Sequence, residues 1–200
     1  MIEERLLKSG LSAIAGVDEA GRGACAGPLV IAALILKDPE SSALSKVRDS
    51  KELTPKAREE IFPVILENAR SHSIIEISPA EIDSFGLHKS NIEGMRRAIS
   101  ALNITPDYVL TDGYEIPGIA IPNLAVWKGD QVALTISSAS ILAKVHRDRL
   151  MASLDKEYPE YGFAEHKGYV TSSHTASLER VGVSPVHRKS YANIAKLISK

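Results

Sequence analysis

Two uncharged segments rich in aliphatic residues, separated by a short glycine-rich loop, constrain the fold of this chain most strongly. Residues 12–17 and 28–36 each have the length and composition of a β-strand. Three glycines lie in the loop at residues 21–27, so the two strands are expected to form a hairpin. Strand-like and helical segments alternate after it. This order predicts a mixed sheet flanked by helices, an α/β fold.

Local signals predict the remaining elements. Thr54-Pro55 is a helix cap followed by a first-turn proline, and it opens a helix towards residue 70 in which Pro63 should cause a kink or a break. Ser78 and Glu81 have the spacing of a capping box and start a short helix. Further strands are predicted at residues 73–77, 107–111 and 125–127, and further helices at 92–102, at 138–156 and, as two short helices, within 158–200.

The composition suits a globular cytoplasmic protein. A chain of 200 residues can bury a substantial core, and its 44% apolar and 24% charged residues are ordinary for that class. No apolar run approaches the roughly 18–20 residues that cross a bilayer, and the charged N-terminal segment does not resemble a signal peptide. Cys25 is the single cysteine, which excludes an internal disulfide and fits a reducing compartment. We therefore expect a cytoplasmic location and no membrane contact.

The charges are distributed unevenly along the chain. The net charge is −1, but residues 141–200 carry a balance of +4 and residues 1–140 a balance of −5. An acidic centre beside a basic C-terminal third would suit a metal site next to a phosphate-binding surface. A chance asymmetry explains the same numbers, so charge alone does not decide between the two.

Four acidic residues follow or close short strand-like runs, each with a glycine nearby: Asp18, Glu19, Asp112 and Asp130. Carboxylates brought together at the ends of neighbouring strands repel one another unless cations lie between them. The pattern therefore predicts a site for two divalent metal ions that act on a phosphodiester. For an isolated Asp-Glu pair, the alternative is a polar turn that closes the hairpin.

The glycine-rich loop after Glu19 favours the metal-site interpretation. Gly21 and Gly23 would let the main chain approach a sugar-phosphate closely, and Arg22 could pair with a phosphate. The loop also satisfies a loose dinucleotide-binding pattern that ends at Ala26. That pattern requires a helix after the loop, whereas Pro28 here begins a strand-like run, so we reject it.

Two further segments could contact an anionic substrate. Ser50 and Lys51 place a hydroxyl and a cation in a loop, although a solvated connector would look the same. Ser138 and Ser140 lie in the predicted loop and first turns of a helix, with Lys144 further along. Hydroxyls and free backbone N–H groups there would form an anion site, while a close-packed helix face is the alternative.

The C-terminal region combines cations with an aromatic ring. Tyr169 and Arg188 are candidates for stacking on a nucleotide and for contacting a phosphate. A tyrosine at such a position is also common as half-buried packing. The six histidines show no zinc-ligand spacing.

Taken in order, these motifs resemble ribonuclease HII, the type 2 ribonuclease H of bacteria. The resemblance extends over about residues 13–191. The segments that carry it are Gly16-Val-Asp-Glu-Ala-Gly-Arg-Gly23, Asp49-Ser-Lys-Glu-Leu53, Asp112-Gly113, Lys128-Gly-Asp130, Ala139-Ser-Ile-Leu-Ala-Lys-Val145 with Arg147-Asp148, His166-Lys-Gly-Tyr169 and Ser184-Pro-Val-His-Arg-Lys-Ser190.

The resemblance implies a ribonuclease H-like fold, with a catalytic domain over residues 1–157 and a small helical extension over 158–200 packed on it. It also implies hydrolysis of the RNA strand of RNA–DNA hybrids and incision 5′ of single ribonucleotides in duplex DNA, leaving 5′-phosphate and 3′-hydroxyl ends. Two Mg²⁺ or Mn²⁺ ions would be the cofactors. Neither a sliding-clamp-binding tail nor an oligomer is expected, and the dozen residues before the first strand leave no room for the extra N-terminal domain of type 3 enzymes.

Residue roles also follow from the resemblance. The metal ligands would be the four carboxylates named above. The backbone of residues 21–23 would sense the ribose 2′-hydroxyl, and Tyr169 would stack on the deoxyribose that follows the ribonucleotide. Ala24 and Tyr114 depart from the family pattern, in which proline and a smaller polar residue are common at these positions.

Two other classes of function compete with the nuclease. A catalytically silent nucleic-acid-binding module would keep the basic surface without needing four carboxylates. A nucleotide-binding enzyme would use the glycine-rich loop and bind a dinucleotide without nucleic acid.

Overall fold

The computed structural model describes residues 2–199. The strands are β1 (Ile14–Ala20), β2 (Leu29–Leu36), β3 (Ala69–Ile77), β4 (Tyr108–Asp112) and β5 (Asn123–Val126). The helices are α1 (Ile2–Lys8), α2 (Pro55–Asn68), α3 (Pro79–Phe85), α4 (Leu87–Ser100), α5 (Gly129–Val132), α6 (Leu134–Glu157), α7 (Phe163–His166), α8 (Ser172–Val181) and α9 (Ala192–Ile198), with a short 3-10 helix at Ser42–Leu44.

The five strands form one mixed sheet in the order β3-β2-β1-β4-β5. β1 is antiparallel to β2, as the predicted hairpin requires, and parallel to β4, which is parallel to β5. The α/β architecture predicted from the sequence is therefore confirmed. Because β1 and β4 run in the same direction, their carboxyl ends meet at one edge of the sheet.

Helices cover both faces of the sheet. Side chains from alternate positions of β1 pack against α4 on one face and against α6 on the other, as the period of two in a strand requires. Every residue of β2 is buried, since this strand has a strand on each side and a helix on each face.

The C-terminal helices pack against the far end of α6 and the glycine-rich loop. Their apolar cluster combines Phe163, Leu178 and Ile194 with Met151 of α6 and Cys25 of the loop. A β-bridge between Ala26 and His187 adds a backbone connection between the two regions. Residues 158–199 therefore share a core with the end of α6 and with the loop that follows β1.

Several predicted boundaries differ from the structure. β1 extends to Ala20, so Asp18 and Glu19 lie within the strand and not in a turn after it. α2 continues through Pro63 and ends at Asn68, where β3 begins at once. The region after residue 158 contains three helices in place of the predicted two.

α6 begins at Leu134, four residues before the predicted start. Its beginning is fixed by Glu3 of the unpredicted helix α1, a completely buried carboxylate that accepts bonds of 2.8 and 2.9 Å from the N–H and hydroxyl of Thr135. An acidic group at a helix N-terminus satisfies free N–H groups and interacts favourably with the helix dipole. The capping contact comes from a distant segment, so local sequence signals do not reveal it.

Among residues 2–199, none of the helices combines the length and the apolar character that crossing a membrane requires.

Gly16 allows α6 to approach β1 closely. A Cβ at this position would lie 2.2 Å from the carbonyl carbon of Thr135, and a helix backbone cannot give way locally. We expect Gly16→Ala to lower the free energy of unfolding by about 3 kcal/mol. Gly23→Ala is the matched control, because its Cβ would meet no atom closer than 3.8 Å and its φ is not positive. Similar urea midpoints for the two variants would contradict this reading of the β1–α6 contact.

Candidate active site

Three of the predicted carboxylates lie together near the carboxyl ends of β1 and β4. Val17 pairs with Thr111, so Asp18 and Asp112 follow on neighbouring parallel strands. Asp130 lies in α5, and the N–H of Gly129 donates a 2.8 Å hydrogen bond to Asp112 Oδ1. The structure therefore joins three segments of the chain in one acidic cluster.

Glu19 approaches this cluster from the opposite face of the sheet, because neighbouring strand residues alternate. Asp18 interacts with Ser140 on the α6 side, whereas Glu19 interacts with Asn91 of α4 and with the charge of Arg22. The main-chain N–H of Glu19 donates a 2.8 Å bond to Asp18 Oδ1.

Burial and mutual repulsion disfavour the charged forms of these carboxylates. Burial and then the charge of Glu19 raise the pKa of Asp18 well above its usual range. Burial raises the pKa of Glu19 to about 7, although Arg22 and Asn91 act to lower it. Burial also raises the pKa of Asp112, with a further contribution from Asp130. A site that resists ionisation in this way is one that a cation would stabilise.

Lys51 supplies the nearest positive charge to the acidic cluster. Its Nζ lies 2.9 Å from Asp130 Oδ2, and its charge also acts on Asp18, Glu19 and Asp112. Burial acts to lower the pKa of Lys51, but the hydrogen bond to Asp130 and the nearby negative charges raise it overall. The lysine therefore acts as the protein's own counterion for the carboxylates.

The loop that carries Ser50 and Lys51 is held in place by Arg58 of α2. Arg58 donates bonds of 2.7 Å to the carbonyl oxygens of Ser50 and Leu53. The hydroxyl of Ser50 lies 2.9 Å from that of Ser140, which ties the loop to α6.

The donor set fits divalent cations chemically, although it is not preformed for them. Carboxylate oxygens are the ligands that Mg²⁺ and Mn²⁺ prefer. Glu19 Oε2, Arg22 Nε and both side-chain polar atoms of Asn91 are buried without a well-formed hydrogen bond, since the contact of Asn91 with Glu19 is loose, and a ligand there would satisfy them. No three Asp, Glu, His or Cys side chains among residues 2–199 are arranged to hold an ion as they stand. Binding therefore requires side-chain movement, including release of Asp130 by Lys51.

The glycine-rich loop lies against two buried arginines. Gly21 has φ 89°, and a Cβ there would lie 1.8 Å from Arg147 Nε, so only glycine fits. Arg147 donates to the carbonyl oxygens of Ala26, Pro28 and Lys167. The arginine thus joins the loop to the segment that precedes Tyr169.

Half-buried Arg22 and exposed Tyr169 both lie at the glycine-rich loop that follows Glu19. The guanidinium of Arg22 lies 4.4 Å from the centre of the Tyr114 ring, a cation–π contact made by the residue that departs from the family pattern. Tyr169 is 38% exposed, and its ring lies 3.8 Å from the position of a Cβ at Gly23. The loop and this ring therefore form one continuous surface.

The structure places three of the predicted substrate contacts inside the fold. Arg188 is completely buried, and it donates to the carbonyl oxygens of Gly27 and Arg22, so in this arrangement it supports the glycine-rich loop. Ser138 is also completely buried within α6, and Ser140 is 4% exposed and bonded to Ser50. Sequence alone does not distinguish an arginine that binds carbonyl groups from one that binds phosphates.

The anion site predicted at the start of α6 lies within regular helix in the structure. The serines lie inside the helix, where main-chain N–H groups such as that of Ser137 already donate to the preceding turn. The Lys144 ammonium lies 2.6 Å from Asp148 Oδ1, so a contact with substrate would require it to leave that partner.

Asn91 is the site residue that the sequence analysis missed. It is completely buried on α4 and faces Glu19. An asparagine on the inner face of an amphipathic helix is unusual, and this feature of the sequence could identify Asn91 as a candidate.

Comparison with known proteins agrees with this geometry. The family model of ribonuclease HII matches residues 15–194. The ribonuclease HII of Mycobacterium avium is 52% identical over 196 residues, covering 98% of this chain and 85% of the relative. That of Rhodococcus opacus is 51% identical over 199 residues, covering 100% and 88%. The crystal structure of the ribonuclease H2 from Pyrococcus horikoshii has a TM-score of 0.81 at 28% identity, covering 94% of this chain and 98% of that one.

The fold and the cluster of carboxylates define an enzyme of the ribonuclease H-like class, a nuclease that hydrolyses phosphodiester bonds. Within that class, the family model and the relatives that match nearly the full length all indicate one family. The chain belongs to the ribonuclease HII family.

The raised pKa of Glu19 has a measurable consequence for stability without divalent ions. Between about pH 4.5 and 7, the folded protein keeps a proton on Glu19 that the unfolded chain has lost, so this group lowers the free energy of unfolding as pH rises. The slope approaches about 1.4 kcal/mol per pH unit. We expect Glu19→Gln to gain stability relative to the natural protein between pH 5 and pH 8, measured by urea unfolding in EDTA.

Glu179→Gln is the control for this comparison, since it removes an exposed carboxylate of α8. A stability difference between Glu19→Gln and the natural protein that stays constant over this pH range would show that Glu19 is not held in its protonated form.

Proposed function

We propose that this protein is a metal-dependent endoribonuclease that cleaves the RNA strand of RNA–DNA hybrids and incises 5′ of single ribonucleotides embedded in duplex DNA. The observation that carries the proposal is that the loop at residues 21–23 leads directly from the acidic residues: the charge of Arg22 acts on Glu19, and Gly23 lies against the Tyr169 ring. A scissile phosphate and the ribose next to it would contact the acidic residues and the loop at once.

We assign the binding of two Mg²⁺ or Mn²⁺ ions to Asp18, Glu19, Asp112 and Asp130. Such ions, when bound, supply the positive charge that activates a water molecule and stabilises the departing 3′ oxygen. Asp18 and Asp112 would lie at the centre of the metal site, because they follow paired residues of two adjacent strands. Glu19 and Asp130 would complete it from the α4 side and from α5.

The protein's own residues position the substrate. Gly21 and Gly23 have no side chains, so the main chain of the loop can approach a ribose 2′-hydroxyl. Arg22, held against Tyr114, would contact a phosphate. Lys51, once separated from Asp130, would be free to pair with the phosphate backbone. Cleavage would leave 5′-phosphate and 3′-hydroxyl ends.

The first test removes charge from the proposed ligands without changing their size. We expect Asp18→Asn and Asp112→Asn each to lower kcat/KM by at least roughly 100-fold on a duplex that contains one ribonucleotide, assayed with Mg²⁺ and with Mn²⁺. Asp38→Asn, which changes an exposed turn, should retain activity. Full activity in either ligand variant, or cleavage that persists in EDTA, would refute the metal mechanism.

The second test concerns the ring of Tyr169. An aromatic contact to a nucleotide contributes about 1–3 kcal/mol, so Tyr169→Ala should lose roughly 5- to 150-fold in kcat/KM at an RNA–DNA junction. Tyr169→Phe keeps the ring and should stay close to the natural protein. Unchanged junction cleavage in Tyr169→Ala would exclude the stacking role.

A further inference from the structure

Three buried histidines cluster behind Tyr169, two of them joined by a hydrogen bond and the third stacked on one of these. His174 Nε2 lies 3.0 Å from His187 Nε2, and the rings of His166 and His174 stack with their centres 4.2 Å apart. Phe163 packs against all three rings. The proposed chemistry uses none of these histidines, and no metal-binding arrangement exists among residues 2–199 to explain them.

The partners at one end of the cluster fix where the protons lie. The main-chain N–H of Ser184 donates a 3.0 Å bond to His187 Nδ1, so that nitrogen carries no proton. Neutral His187 then carries its proton on Nε2 and donates it to Nε2 of His174. His174 must therefore carry its own proton on Nδ1.

The other end of the cluster requires the same assignment independently. His174 Nδ1 lies 2.9 Å from the carbonyl oxygen of Tyr169, which can only accept. These hydrogen bonds form a chain that runs from the Ser184 N–H through His187 and His174 to the Tyr169 carbonyl oxygen. We call this chain the histidine relay. Burial lowers the pKa of His187 to about 4 and also lowers that of His174, which keeps both rings neutral near pH 7.

The third histidine and the glycine-rich loop hold the residue before Tyr169. The N–H of Gly168 donates a 3.2 Å bond to His166 Nδ1, which leaves His166 Nε2–H to donate to the Tyr161 carbonyl at 2.8 Å. The carbonyl of Gly168 accepts from the N–H groups of Cys25 and Ala26. The backbone at residues 168–169 is thus fixed from two sides, and with it the direction in which the Tyr169 ring leaves the chain.

We propose that His174 and His187 are positioning residues that hold the Tyr169 ring against Gly23 through the neutral histidine relay, and so determine discrimination in favour of RNA–DNA junctions. The placement of the ring follows from the relay alone. The effect on discrimination rests on the proposed function of Tyr169.

Nuclear magnetic resonance tests the relay without any reaction. Imidazole ¹⁵N shifts at pH 7 should show His187 and His166 protonated on Nε2 and His174 on Nδ1. The Tyr169 ring should show a nuclear Overhauser contact to the Hα atoms of Gly23, which is lost in His174→Leu and kept in Phe163→Leu, a variant that weakens the same apolar cluster without removing a relay partner. A His174 protonated on Nε2, or a contact that survives in His174→Leu, would overturn the proposal.

Discrimination is measured as the ratio of kcat/KM on a single-ribonucleotide duplex to that on a continuous RNA–DNA hybrid, below the melting temperature of every variant. We expect His174→Leu to lower this ratio at least roughly fivefold. His174→Asn, which retains an N–H donor towards the Tyr169 carbonyl, should recover part of the loss, and Phe163→Leu should leave the ratio unchanged.

A double variant shows whether His174 acts through Tyr169. In a Tyr169→Ala background, adding His174→Leu should change the ratio no further, because the residue being positioned is gone. A further, additive loss would overturn the proposal. If Tyr169→Ala alone leaves the ratio unchanged, the proposed function of Tyr169 fails, while the ring contact to Gly23 still decides whether the relay positions it.

Discussion

Crowding of carboxylates where two parallel strands end is the constraint on which the rest of this structure depends. Asp18 and Asp112 are neighbours because β1 and β4 run in parallel, and the N–H of Gly129 brings Asp130 to the same place. Burial makes ionisation of Asp18, Glu19 and Asp112 costly. Lys51 offsets part of the repulsion through its exposed ammonium group. The proposed metal ions would replace this internal counterion with stronger charge.

The surroundings of the cluster are rigid where the substrate is expected. Arg147 and Arg188 are completely buried, and they donate mostly to backbone carbonyls around the glycine-rich loop and to no acidic group; Arg188 also donates to the Tyr191 hydroxyl, and its Nη2 has no partner among residues 2–199. Burial of a cation is costly unless hydrogen bonds replace most of its contacts with water, and these carbonyl groups supply such bonds. The loop, the segment before Tyr169 and the C-terminal helices are therefore held as one unit, which suits the proposed recognition of a ribose 2′-hydroxyl group.

The sequence predicted the sheet well, because the aliphatic runs of β1 and β2 and the segments leading to Asp112 and Asp130 have strong local patterns. It failed where long-range contacts decide the structure. Glu3 sets the start of α6 from a distant helix, and Asn91 faces Glu19 without belonging to any motif. The spacing of the histidines excludes a zinc site, but it does not reveal that His174 and His187 share a hydrogen bond. Hydrogen bonds between segments far apart in sequence cannot be read from spacing.

Proton release on metal binding tests the central claim most directly. Calorimetric titration of the protein with Mn²⁺ near pH 6, in buffers of different ionisation enthalpy, counts the protons displaced. Because Asp18 and Glu19 have raised pKa values, the account predicts release of about one proton or more per protein molecule, and less as the pH rises above 7. Binding heats that are the same in every buffer, or no binding at all, would contradict it.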